Sequence, residues 1–86
     1  MVITKNILAD MIMKYINRTI NLSALVEWAE NTLREDDFDK SNFELIRNIV
    51  ARIGLSDVRE FGLAWDDCYD YLHKLGFDVK VELLKV

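Results

Sequence analysis

The chain has no proline, only three glycines and a single cysteine, Cys68. Without proline, nothing forces a break inside a helix, and the scarcity of glycine leaves little room for long irregular connections. One cysteine excludes an internal disulfide, so the chain is no disulfide-stapled scaffold and fits a reducing compartment. A single histidine, His73, excludes the histidine-pair metalloprotease motif, and paired-cysteine zinc sites are excluded likewise. No glycine-rich phosphate loop or nucleophile elbow occurs. The first residues lack the apolar core and small-residue cleavage site of a signal peptide. No apolar run reaches the roughly 18 residues that span a bilayer. The expectation is a cytoplasmic protein with no membrane contact.

Positive charge is also in short supply. Eleven Lys and Arg face fifteen Asp and Glu, a formal net charge of −4. Residues 27–44 concentrate the excess: Glu27, Glu30, Glu35, Asp36, Asp37, Asp39 and Glu44 stand against Arg34 and Lys40 alone. Residues 1–26 lean the other way, with Lys5, Lys14 and Arg18 against Asp10. An acidic middle repels phosphates, and Arg47, Arg52 and Arg59 are too scattered for a basic helix face, so nucleic acid is not an expected partner. A basic protein is, through steering and charge complementarity.

What the chain does have is a core's worth of apolar side chains. Of its 86 residues, 51% are hydrophobic and 30% charged, the composition of one globular domain, residues 1–86. Thr4 is placed to cap a first helix to about Asn17, with Ile7, Leu8, Met11, Ile12, Tyr15 and Ile16 on one side. Asn21 caps a second helix to about Arg34, stapled by Ile20 and Leu25 and striped by Leu22, Leu25, Val26, Ala29 and Leu33. A third helix starts after Asp39 or Ser41, the first start stapled by Phe38 and Phe43. Its broad arc, Phe43, Leu45, Ile46, Ile49, Val50 and Ile53, marks it as central. Gly54 then reads as a left-handed cap with Leu55 folding back. Ser56 to Phe61 suggests a short helical turn, and a last helix runs from Ala64 or Trp65 to Leu75.

Past Gly76 the period changes. Phe77, Val79, Val81 and Leu83 alternate with Asp78, Lys80 and Glu82, which predicts a strand. Met1 to Thr4 (MVIT) is the one internal stretch that could pair with it. Otherwise Phe77–Leu84 would pair with another chain or with its own copy as a homodimer. The expected fold is therefore mostly α: four helices, one short helix and a C-terminal β-strand.

Chemistry has few places to reside. Asp66, Asp70 and His73 share one side of the last helix and could hold a metal or poise His73 as a base. The same acids are favourable in a first turn for reasons of the helix dipole alone. Asp37 to Asn48 begins like a calcium loop, but Asn42 stands where glycine is needed and Asn48 where a bidentate glutamate is needed. Cys68 lies on the apolar arc among acids, the opposite of a thiolate niche. Trp65 and Tyr69 read as core aromatics, and Trp28 and Tyr71 lie at stripe edges.

In size, acidity and helix number the chain resembles small bacterial immunity and antitoxin proteins, a likeness of composition that rests on no shared motif. The expectation is a non-enzymatic protein-binding module with no cofactor, metal or catalytic residue. Its contact residues would be Glu35, Asp36, Asp37, Asp39, Trp28, Tyr71, Val79 and Val81, meeting a basic partner that it restrains. The competing expectation is a small metal-dependent or acid–base enzyme using Asp66, Asp70 and His73.

Overall fold

The structure, a computed structural model, describes residues 1–57, 62–80 and 83. Four helices carry it: α1 (Lys5–Ile16), α2 (Leu22–Glu35), α3 (Phe43–Gly54) and α4 (Trp65–Lys74). The first two begin where side-chain chemistry requires. Thr4 accepts the Ile7 N–H at 3.2 Å and Asn21 accepts the Ala24 N–H at 2.8 Å, each satisfying an orphan donor of the first turn. The third is entered through one turn of 3₁₀ helix, Lys40–Asn42, capped by Asp39. Phe38 and Phe43 meet edge to face across that entry, centroids 5.9 Å apart, which is the expected staple. Helix α3 packs mainly along α2 and also touches α1, as its wide apolar arc requires, while α4 lies against α1.

The core gathers one stripe from each helix. Leu8 and Ile12 of α1, Leu25 and Ala29 of α2, Ile46, Val50 and Ile53 of α3, and Cys68 and Leu72 of α4 are all sealed from solvent. Burying a side chain of this size contributes about 1.5–3 kcal/mol, so these few residues dominate the stability of a chain this short.

Two helix ends close in the same way with different residues. After α4, the Gly76 N–H reaches the His73 carbonyl at 2.9 Å and the Phe77 N–H reaches the Leu72 carbonyl at 2.9 Å, with Gly76 at φ +94°. After α1, the Arg18 N–H reaches Tyr15 at 3.1 Å and the Thr19 N–H reaches Lys14 at 2.8 Å, with Arg18 at φ +62°. Both satisfy the last carbonyls by the αL closure that glycine adopts without strain. Arg18 carries a Cβ there, at a cost of about 1 kcal/mol.

The β structure departs from expectation. Val2–Ile3 (β1) pairs in parallel with Asp37–Phe38 (β2), Val2 opposite Asp37 and Ile3 opposite Phe38. Among the described residues the partner of MVIT is therefore the acidic connection. Ile3 and Phe38 supply the reason, since this pairing sends both into the core. Phe77–Lys80 form no strand; Phe77 leaves α4 half exposed and Val79 packs on the core from one side. Val81, Glu82 and Leu84 lie outside the described residues.

Other expectations are corrected locally. Gly54 is the last residue of α3 and not a left-handed cap; it is buried against α2, where a Cβ would stand 3.7 Å from Leu33. Leu55 is exposed and does not fold back. Ser56 is buried and donates its hydroxyl to the Arg52 carbonyl at 3.2 Å, which ties it back to the last turn of α3. Residues 58–61 of the expected short helix lie outside the described residues. Trp65, expected in the core, is 51% exposed and leans on Tyr69 at 6.5 Å. Among the described residues no helix is long and apolar enough to cross a membrane.

Candidate functional site

The acids that follow α2 do not share one local task. Asp39 works inside the fold: its carboxylate accepts the Ser41 N–H at 3.2 Å and the Ser41 hydroxyl at 2.9 Å. Asp36 ends α2, half buried, 3.5 Å from the Met1 amino nitrogen. Glu35 and Asp37 are exposed and enter no ion pair among the described residues. Each sits against local preference. Glu35 occupies the last turn of α2, where its charge adds to the negative end of the helix dipole. Asp37 stands in a strand, where aspartate is disfavoured. Nearby cations do not offset them: Arg34 bonds the Asn31 side chain, and Lys40 is exposed with no ion pair among the described residues.

The β1–β2 pairing carries this acidic segment to the start of α1. The Asp37 N–H donates to the Met1 carbonyl at 3.1 Å and the Asp39 N–H to the Ile3 carbonyl at 3.0 Å. Met1 in turn borders a hollow with Ile7, Met11 and Trp28, so Trp28 lies beside the acids as a half-buried aromatic. The structure thus brings together Glu35, Asp36, Asp37 and Trp28. Asp39 is spent on a cap. Val79 lies across α1 in a second hollow with Met13, Leu72 and Phe77. Tyr71 is remote from both and faces a groove between α3 and α4. Burial and the Asp67 charge raise the Tyr71 phenol above its usual value near 10, with Arg52 acting in the opposite direction. Val81 lies outside the described residues.

The residues of the enzymatic expectation are placed without convergence. Asp70 is held by Lys74 at 2.9 Å, one helical turn on. Asp66 and His73 are both exposed. Among the described residues no three of His, Cys, Asp and Glu are arranged to hold a metal ion. Asp67, not singled out beforehand, accepts the Ala64 N–H at 3.0 Å and so fastens the start of α4. Cys68 is sealed, and burial, helped by the Asp67 charge, pushes its thiol up to about 11. At neutral pH it carries no thiolate to act as a nucleophile.

Sequence reasoning missed the parts played by Met1, Met11, Met13, Asp10 and Asp78. The methionines were legible only as core or stripe residues, because the hollows they border are closed by three separate segments of chain. Compared with protein-family models, with curated proteins and with solved structures, the chain matches none.

Proposed function

We propose that the chain is a small acidic protein-binding module that holds, and in doing so restrains, a basic protein partner, in the manner of an antitoxin or immunity protein. The observation that carries this reading is the pair Glu35 and Asp37, exposed, uncompensated and each placed against local preference. Residues that break local rules without local compensation mark the places where a fold gives up stability for function. A guanidinium or ammonium brought by a partner relieves both defects at once. Trp28 and the exposed Met1 beside them supply the apolar anchor that such an interface needs at its centre.

The test is capture from the cells of origin by the immobilised chain, compared with a Glu35→Gln, Asp36→Asn, Asp37→Asn variant. The proposal expects a basic protein retained at low salt, released as salt rises, and absent from the variant. An identical retained set on both would contradict it, because neutral isosteres keep shape and remove only charge.

A further inference from the structure

The outer face of α1 is a polar crest with an apolar hollow on each side. One hollow, of 450 Å³, is floored by Ile7, Met11 and Trp28. The other, of 370 Å³, is floored by Ala9, Met13 and Val79. Asn6 and Asp10 border both, so they form the crest between them. All three methionines of the chain line these hollows, Met1 and Met11 in one and Met13 in the other. Methionine is flexible and polarisable, and its use at a surface suits an incoming apolar side chain that must be accommodated.

Acids outnumber cations around these hollows. Asp10 stands on the crest, Asp78 at the far rim, and Asp36 and Asp37 adjoin the near rim at Met1. Two cations line the near hollow and both are already held, Lys14 by Asp10 at 3.3 Å and the Met1 ammonium by Asp36 at 3.5 Å. A partner seated here therefore brings apolar groups for the hollows and positive charge for the crest and rims.

Resting on the acidic-module reading above, we infer that the partner presents a basic amphipathic helix laid across the α1 crest. Its two apolar side chains enter the hollows and a Lys or Arg between them meets Asp10. The geometry sets the spacing. The hollows flank α1, whose diameter with side chains is about 10–12 Å, and two residues seven apart on a helix span about 10 Å on one face. The basic residue then falls at the third or fourth position between them, on the same face.

The experiment uses a synthetic helical peptide with Leu at two positions seven apart, Arg at the third and fourth positions between them, and neutral polar residues elsewhere. It is titrated into the full chain carrying Trp65→Phe, so that Trp28 is the only indole, with fluorescence and two-dimensional amide NMR as readouts. The expected result is a saturable Trp28 change with amide shifts centred on Asp10, Met11, Met13 and Val79. Asp10→Lys, an exposed change whose folding is checked by circular dichroism, weakens binding at least tenfold, and a peptide with Glu for Arg does not bind. No Trp28 response at about 1 mM peptide overturns the inference. So does equal binding to the Asp10→Lys chain, or a chain that sediments alone as a dimer with Trp28 already shielded, which would assign the hollows to a second copy. The two readings separate in the capture experiment. If the partner is lost on neutralising Glu35, Asp36 and Asp37 but kept with Asp10→Lys, the acidic module stands and the helix-over-crest geometry falls.

Discussion

Helix α4 carries Asp66, Asp67 and Asp70, and the connection after α2 carries Glu35, Asp36, Asp37 and Asp39. Similar in composition, the two regions differ in how the fold uses them. In α4 two of the three acids have local work: Asp67 fastens Ala64 and Asp70 pairs with Lys74, while Asp66 and Asp67 lie in the first turn, where the dipole favours an anion. After α2, Asp39 alone serves a cap, while Glu35 and Asp37 stand where dipole and propensity oppose them. The lesson is that acid density does not separate the acids a fold uses locally from those it leaves uncompensated, and it is the latter that are proposed as contacts.

The largest expected effect comes from erasing the second region. Glu35→Gln, Asp36→Asn, Asp37→Asn should cut affinity for the proposed basic partner at least tenfold, about 1.4 kcal/mol, while Glu35→Gln, Asp37→Asn, which spares the Asp36–Met1 pair, leaves the melting temperature unchanged or raised. Calorimetric titration and thermal melting check both halves, and a fall in melting temperature would place these acids with those of α4.

Next in size is the alkaline limb of stability. The folded chain keeps the Cys68 proton up to about pH 11, whereas the unfolded thiol loses it near its ordinary 9. Over that interval the unfolded state binds fewer protons, so unfolding free energy falls as pH rises from about 9 to about 11, then levels. Urea melts across this range should show the decline in the parent and a flatter profile in Cys68→Ala.

Removing a working acid should cost stability and leave binding intact. Asp67→Ala loses a bond at a helix start and should destabilise by about 0.5–2 kcal/mol, with partner affinity unchanged. Smallest is Asp70→Asn, whose exposed pair with Lys74 is worth about 0–0.5 kcal/mol by thermal melting.

Much of the helical frame was readable in order along the chain. Thr4 and Asn21 cap where expected, Phe38 staples Phe43, and Gly76 closes α4, because each signal lies within a few residues of the feature it specifies. The strand pairing was not readable. Val2–Ile3 and Asp37–Phe38 are too short for any periodicity, and one of them contains an aspartate. The alternation after Gly76 was real as a pattern, yet Phe77–Lys80 form no ladder, and Val79 uses its apolar side chain against the helices. Trp65 misled because its stripe position does not record that the first residue of α4 is left 51% exposed. The candidate surface was half visible: Trp28 and the acids were named, while the α1 hollows were hidden because Met11 joins Trp28, and Met13 joins Val79, only once the chain has folded.

The most direct test of the account is the salt dependence of partner affinity for the parent chain and for Glu35→Gln, Asp36→Asn, Asp37→Asn. If uncompensated charge drives recognition, the parent's affinity falls steeply between about 0.05 and 0.5 M salt, while the variant starts weaker and declines less. Parallel lines of equal slope and height would show that these acids take no part in binding, and would contradict the account.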